Sequence, residues 1–517
     1  MKPSFNWIIP IVFVLFAFSC NNENKADEPS VTIQLRSQSI AEGTVVDANT
    51  TTVLTLSYNN PVKVTGTGIK LNGVAVTAKS NTSSPVSVEI PLALAEGKSY
   101  TLRVERGAIV STTDATVSAP ELTLNFTTKA AEEEPISGQE ASFIRKKLGW
   151  GWNLGNHFDT STGEDNKPSQ WGYWDGATPT RELYTNLKKA GVSTVRICST
   201  WGNNQTPDTW TIKASYLAEV QQQVEWAEAA GLNVILNMHH DEYWLDIKGA
   251  ANNETTNTNI KKRIQATWKQ IAEAFKDKGS FLFFESFNEI QDGGWGWGDN
   301  RNDGGKQYRT LNEWNQLVVN TIRATGGNNE TRWIGVPCYA SNPVFAVEES
   351  FVLPTDPANR IMVSVHFYDP NTFTLTPENS DGKSEWGHTA AAGKFQPGSN
   401  EEHVVETFRK LQQKFISNNI PVYIGEYGCV RHKTNRSNLF RYYYLEYVCR
   451  AAYTYGMPLL IWDNNSQGTG NECHGYFSHT DGTYINASES LVQTMVKAAT
   501  SDDASYTLES VYNKAPN

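Results

Sequence analysis

Beyond residue 149 the chain repeats one pattern, a short β-rich run followed by a longer stretch of helical periodicity. The β-rich runs are "GWGWNLG" (149–155), 192–198, 233–238, 281–287, 332–336, 361–365, 422–425 and 458–461. Helix punctuation lies between them. In "TPTRELYTNLKKAG", Thr178 reads as the cap, Pro179 as the first turn and Gly191 as the stop. "YLAEVQQQVEWAEAAG" stops at Gly231 and "NIKKRIQATWKQIAEAFKDKG" at Gly279, with further helices expected over 312–325 and 438–455. Eight such units predict an α/β fold, a closed (β/α)8 barrel of the TIM type. A doubly wound open sheet would announce a Gly-rich phosphate loop after an early strand, and the sequence has none.

Residues 31–128 follow a different rule. Leu54, Leu56 and Tyr58 alternate with polar residues, as do Val86, Val88 and Ile90, then Tyr100, Leu102 and Val104, then Leu122, Leu124 and Phe126. Period-2 runs between Gly, Asn and Pro turns predict a small all-β sandwich. The stretch resembles bacterial immunoglobulin-like domains. Its aromatic residues Tyr58, Tyr100 and Phe126 fall in strand patterns, which favours core packing and a spacer role over sugar binding. Tryptophan separates the two parts, because none lies between Cys20 and Gly149. The organisation expected is a signal at 1–20, a sandwich at 31–128, a linker at 129–140 and a barrel domain at 141–505.

The N-terminal segment is for targeting. Lys2 precedes an apolar run from Trp7 to Phe18, then Ser19, Cys20 and a polar "NNENKADEP". This resembles a bacterial lipoprotein signal, although Ala17 stands where leucine is usual. It implies lipidation at Cys20 and export to the outer membrane or cell surface of a Gram-negative bacterium, with the anchor's orientation left open. An ordinary secretory signal is the alternative. The chain carries 44 Lys+Arg against 55 Asp+Glu and no basic stripe, so nucleic acid is excluded as a partner. The other cysteines, Cys198, Cys338, Cys429, Cys449 and Cys473, are odd in number and lack CxxC spacing. They indicate neither a disulfide framework nor a zinc site and are expected as buried thiols.

In such barrels chemistry gathers at the C-terminal strand ends. Those ends offer Asn156 after strand 1, Arg196 on strand 2, His239-His240-Asp241 after strand 3 and Asn288-Glu289 after strand 4. Strand 6 offers His366 and Tyr368, strand 7 Glu426, and strand 8 Trp462 and Asp463. Closure sets Glu289 and Glu426 across one mouth. Paired carboxylates flanking a polar cleft are what glycosidic hydrolysis requires, one as an acid and one as an anion. Trp171, Trp174, Trp201, Trp244, Trp295, Trp297, Trp386 and Trp462 crowd the same loops, and flat indoles stack on the C–H faces of sugars. Trp226 and Trp268, within helical patterns, read as core.

The motifs "GWGWNLGN", "VRICSTW", "NMHHDEYW", "ESFNE", "VSVHFYDP", "IGEYG" and "LLIWDNN", in this order, resemble glycoside hydrolase family 5, especially the endo-β-glucanases and xyloglucanases of subfamily 4. The resemblance spans about 145–500 and leaves out the N-terminal domain. It implies a retaining endo-acting enzyme cleaving β-1,4-glucan backbones without a cofactor or catalytic metal. Glu289 would be the acid/base and Glu426 the nucleophile. Arg196 would keep Glu426 ionised, Asn288 would bind the sugar 2-hydroxyl, and His239 and Tyr368 would position sugar and carboxylates. His366 would lie beside the acid/base, Trp462 would form a platform under the sugar, and Asn156 and His240 would touch sugar. Ile290 and Cys198 stand where many members carry proline. A monomer is expected.

Two rival readings stay on the page. His239, His240, Asp241 and His366 could serve a metal hydrolase, but adjacent histidines on a strand point to opposite faces and should not share an ion. A catalytically dead glycan-binding lipoprotein is the other, against which stands the presence of both carboxylates. Which glucan is cleaved, and what Glu285 does within "FLFFESFNEI", are left open.

Overall fold

The computed structural model describes residues 31–48, 50–95, 98–128, 140–170 and 172–517. The signal segment with Cys20, residues 129–139 of the expected linker and Trp171 lie outside the described residues. The chain divides into two compact units, 1–132 and 133–517.

The first unit is built of β-sheet. One four-stranded sheet runs Leu35–Gln38, Val53–Tyr58, Ser87–Pro91 and Lys79–Ser80. A five-stranded sheet runs Val45–Val46, Leu122–Thr128, Ser99–Val104, Ile69–Leu71 and Val74–Ala75. The alternation read from the sequence sets the buried faces. Leu54, Leu56, Tyr58, Leu102, Val104, Leu124 and Phe126 are all buried in one cluster. Each large apolar side chain taken from water contributes roughly 1.5–3 kcal/mol. Val86 departs from the pattern, because it precedes the strand Ser87–Pro91 and is half-buried. Tyr100 lies against the core and stacks on Phe126 with ring centroids 5.5 Å apart.

The second unit holds a closed barrel of eight parallel strands. In order they are Trp150–Leu154, Thr194–Ile197, Asn233–Asn237, Leu282–Glu285, Ile334–Pro337, Ile361–Phe367, Val422–Tyr427 and Leu459–Ile461. The first pairs with the eighth, Trp150 opposite Leu459 and Trp152 opposite Ile461. At this seam Gly155 is required, since a Cβ there would come within 2.6 Å of the Asp463 carbonyl and 2.7 Å of the Trp462 ring.

Period-2 geometry explains what fills the barrel. Ile235, Phe283, Met362, Tyr423 and Leu460 form an apolar layer with Trp333, closed off by Ile144 and Leu148 of the helix Glu140–Leu148. Two residues further along the same strands stand Asn237, Glu285 and Ser364, so the interior turns polar one layer below the mouth. Gly335 makes room for the Tyr423 hydroxyl, which would lie 2.2 Å from a Cβ at that position.

Four helices have boundaries that differ from the sequence reading. The helix Arg181–Lys189 is capped at Thr180, not Thr178, and Pro179 precedes the cap. The Thr180 hydroxyl donates to the Thr480 carbonyl instead of to its own helix. The helix Glu254–Phe275 ends before Gly279, because the Arg332 guanidinium takes the carbonyls of Phe275 and Lys278. Lys306–Arg323 and Asn435–Thr454 begin earlier than expected, held by Asp303 and by the Thr434 cap. Gly191 and Gly231 end their helices with φ +97° and +73°, as glycine permits.

Candidate active site

Arg196 organises the polar layer. Its side chain is fully buried, and its guanidinium donates to five side chains. Nε reaches Glu285 Oε2 at 2.7 Å, and Nη1 reaches Glu426 Oε1 at 2.7 Å and Asn153 Oδ1 at 3.0 Å. Nη2 reaches Asn288 Oδ1 at 2.8 Å, and Cys198 Sγ lies 3.3 Å from Nη1. Burial disfavours the cation, but the surrounding charges, Glu285 foremost, raise its pKa well above the usual value.

Glu285, the polar residue within the fourth strand, is a partner of Arg196. Its other contacts are Asn237 Nδ2 at 2.9 Å on Oε2, with the Ser364 and Tyr423 hydroxyls each at 2.6 Å on Oε1. Burial pushes its pKa up, yet the charges of Arg196 and His366 and the two hydroxyls outweigh that and hold it below the usual carboxylate value.

The mouth lies one layer above. Glu426 receives Arg196 on Oε1 and the Tyr368 hydroxyl on Oε2 at 3.1 Å. His366 Nδ1 stands 2.6 Å from Glu289 Oε1 and 3.7 Å from Glu426 Oε2. Glu289, His366 and Glu426 each present one such atom within 4.8 Å of the others. Burial opposes a charge on His366, but Glu426 and Glu289 raise its pKa all the same. The Glu289 side chain is 18 % exposed and that of Glu426 7 %, so both open to solvent from a buried floor.

His239 is buried, stacked on Trp462 at 5.9 Å and nearly parallel to it. Burial, then the charges of His240, Arg196 and His366, hold its imidazole well below the usual pKa, so it is neutral. The Asn237 amide faces Nδ1 at 3.1 Å, and with Nδ1 accepting, Nε2 carries the hydrogen, 3.9 Å from Glu426 Oε1. The expectation that His239 and His240 face apart is corrected. Their strand ends at Asn237, strict alternation ends with it, and the two rings meet edge to face at 4.4 Å. With Asp159 they present ligand-type atoms within 4.8 Å of one another, the set a cation would use. Asp241 is not available for that purpose, since its carboxylate is occupied by the Trp201 and Gly202 amides and by Trp244 Nε1. Asn156 lies half-buried beside the mouth loop with φ +60°, its backbone N–H donating to Asp159 Oδ2.

The loop tryptophans divide. Trp174, Trp295 and Trp297 are more than half exposed. Trp201 and Trp386 are buried and belong to the core, which corrects their reading as sugar-facing residues. Their loops fold back, and each indole N–H is held by a carbonyl, that of Asn237 or Ser399. Trp244 packs against the core under the Arg263 guanidinium. Trp268 is buried and Trp226 partly so.

Attention to strand ends alone missed Asn153, Asn237, Ser364 and Tyr423. Each is a polar group inside an otherwise apolar run, and that interruption was the available signal. A second network was missed because its members come from two loops at opposite ends of the barrel sequence, one after the first strand and one after the eighth. His479 Nδ1 meets Asp175 Oδ2 at 2.7 Å and Nε2 meets Asp463 Oδ1 at 3.3 Å, while His157 holds Asp175 from the other side at 3.0 Å. Asp463 Oδ2 accepts from Trp152 Nε1 and from the amides of Tyr476 and Phe477. Asp463 is therefore a fully engaged structural anchor for the residue beside it, Trp462.

Residues 154–468 match the model of the cellulase family, glycosyl hydrolase family 5. The chain belongs to this family. Among similar proteins, Endoglucanase A of Paenibacillus barcinonensis is 33% identical over 373 residues, which is 68% of this chain and 88% of that protein. A GH5-4 broad specificity endoglucanase from Bacteroides salanitronis superposes with a TM-score of 0.67 at 46% identity, covering 72% of this chain and 99% of that one. A Bacteroides ovatus GH5 xyloglucanase, solved with a XXXG heptasaccharide, gives 0.63 at 25% identity over 89% of this chain and 97% of its own. Family 5 membership thus rests on the barrel, and the residues that converge at its mouth are the seven motifs' own.

Proposed function

We propose that the protein is a retaining endo-β-1,4-glucanase of the subfamily 4 kind, acting on soluble, branched glucans such as xyloglucan. One observation carries the reading: carboxylate oxygens of Glu289 and Glu426 lie within 4.8 Å of each other at the barrel mouth. Carboxyl groups about 5–5.5 Å apart suit attack by one of them, whereas separations of about 6.5–9.5 Å leave room for an intervening water and inversion.

In this reading Glu426 attacks the anomeric carbon, with Arg196 and Tyr368 each donating to one of its oxygens. Glu289 gives its proton to the departing oxygen, then takes one from water in the second step. His366 bridges the two and shares the proton traffic at Glu289. Asn288 turns its amide oxygen to Arg196, which orients its nitrogen toward a sugar 2-hydroxyl. Neutral His239 offers Nε2–H to the sugar above Trp462, the platform at the cleavage point, and His240 and Asn156 extend the contacts. The exposed Trp174, Trp295 and Trp297 supply stacking surface for a chain of several sugars, which favours endo action. The relatives' activities, endoglucanase and xyloglucanase, agree with this class. Lipidation at Cys20 and an immunoglobulin-like spacer at 31–128 would hold this monomeric enzyme at the cell surface. No helix among the described residues is long and apolar enough to cross a membrane.

The test is reducing-end release from xyloglucan, mixed-linkage glucan and carboxymethylcellulose. Xyloglucan is expected to be cleaved best, with Glu426→Ala losing roughly 10⁴-fold or more in turnover. Wild-type activity in that variant would place the nucleophile elsewhere, and binding without cleavage by the wild type would make the protein a glycan binder.

A further inference from the structure

Glu285 is the one carboxylate in the polar layer that the proposed chemistry does not use. It is fully buried, and beside Arg196 three side chains, those of Asn237, Ser364 and Tyr423, donate to it and favour the anion. Such an arrangement costs desolvation energy, and well-packed apolar groups would give as much stability. Its value lies in what happens to Arg196 during turnover.

At rest the Arg196 cation touches two carboxylates, Glu285 and Glu426. In the first step a bond forms from a Glu426 oxygen to the anomeric carbon. The bond from that carbon to the bridging oxygen breaks, its electron pair leaves with the oxygen, and the Glu289 proton joins it. Net charge in the site is conserved, but it moves. Glu426 becomes a neutral ester, and the new anion is Glu289, whose contact is His366 rather than Arg196. Without a second partner, Arg196 would be left a buried, unpaired cation for the lifetime of the ester.

We propose that Glu285 is a positioning residue that keeps Arg196 paired while Glu426 is esterified, and so speeds the first half-reaction in particular. The proposal rests on the nucleophile role of Glu426. It accounts for the geometry of the guanidinium. The edge that faces Glu285 carries Nε and Nη2, both 2.7 Å from Oε2, while Nη1 alone serves Glu426. Loss of the single Glu426 bond therefore leaves the ion pair with Glu285 whole. In the return half-reaction Glu426 regains its charge beside Arg196, a change that does not need Glu285.

The experiment separates the two half-reactions. A 2,4-dinitrophenyl 2-deoxy-2-fluoro-β-cellobioside traps the ester; labelling is followed by intact mass, the labelled peptide is mapped, and reactivation is timed with an acceptor sugar. In the wild type the label is expected on Glu426. In Glu285→Gln, labelling should slow roughly 10- to 100-fold, the scale set by a buried charge left without its partner. Reactivation should be no slower than in the wild type, since that step restores the Arg196–Glu426 pair and relieves the unpaired cation. Glu285→Asp, which keeps the charge, should recover most of the labelling rate. A purely architectural role for Glu285 would slow both steps together, with Asp no better than Gln. That result, or unchanged labelling in Glu285→Gln, overturns the inference. A wild-type label on some other residue overturns the nucleophile assignment instead. Should Glu285→Gln not fold, Ser364→Ala with Tyr423→Phe strips both hydroxyls from Oε1, two of the groups that favour the Glu285 anion. The same split is then expected at roughly threefold, and its absence is equally fatal.

Discussion

Among the described residues of the barrel unit, Arg196 and His479 are two buried cations each held between two carboxylates, and of this pair only Arg196 borders the candidate active site. Arg196 lies between Glu285 and Glu426, and His479 between Asp175 and Asp463. Their electrostatics are similar. Burial works against the charged His479 ring, but its two carboxylate partners push it up to about 9. Asp175, which burial alone would raise, is pulled down to about 2 by His157 and His479. The difference is access. The His479 set is sealed, with Asp175, Asp463 and His479 wholly buried. The Arg196 set ends in Glu426, whose far side looks into the mouth beside Glu289 and Tyr368. Charge pairing inside a barrel is thus shared by framework and chemistry; a carboxylate with one face left for a ligand distinguishes them.

Breaking the open set should have the larger effect. Arg196→Met leaves Glu285 and Glu426 buried without their cation, and we expect a loss of roughly 3–5 kcal/mol in urea unfolding. Turnover should fall by at least about 10³-fold in the same variant, because both Glu426, the proposed nucleophile, and Asn288 lose their anchor.

Breaking the sealed set should cost stability first. His479→Gln is expected to lose on the order of 2–3 kcal/mol, with a smaller rise in KM as Trp462, the proposed platform, loosens. The sign of its pH dependence is fixed. A raised histidine stabilises fully below its unfolded pKa of about 6.5, and that contribution fades as pH rises toward about 9. The wild-type melting temperature should therefore decline across this window, and that part of the decline should be absent from His479→Gln. The lowered Asp175 works at the other end. Its contribution is present above its unfolded value of about 3.9 and is lost as pH falls toward about 2.

The smallest effect tests whether every contact of Arg196 matters. Cys198→Ser replaces a thiol 3.3 Å from Nη1 by a hydroxyl that can still accept. Stability within about 1 kcal/mol and turnover within about twofold are expected. A large loss would mean that the sulfur's bulk helps to place the guanidinium.

Much of this was legible in the chain. The eight β-rich runs are the eight barrel strands, because buried parallel strands write themselves as apolar runs. The polar strand ends converge because closure leaves them no other place. What escaped was set by tertiary partners. Thr178 and Thr180 offer the same cap chemistry, and the choice between them depends on the surrounding fold. Gly279 is a valid stop, but Arg332, from a later strand's approach, ends the helix first. Trp201 and Trp386 sit in loops that fold inward, which local polarity does not reveal. Glu285 looked anomalous as an isolated carboxylate and is ordinary as one member of a layer that draws on five strands.

The seam between the first and eighth strands also sets a timetable. Chains are made from the N-terminus, so Arg196, His239 and Glu289 are synthesised well before Glu426 and Trp462. The barrel cannot close, and Gly155 cannot meet Trp462, until the run Leu459–Ile461 is free to pair. No partial product of synthesis holds both carboxylates over the indole. A polysaccharide-cutting edge assembled in this order stays blunt until the eighth strand has been delivered and has paired with the first.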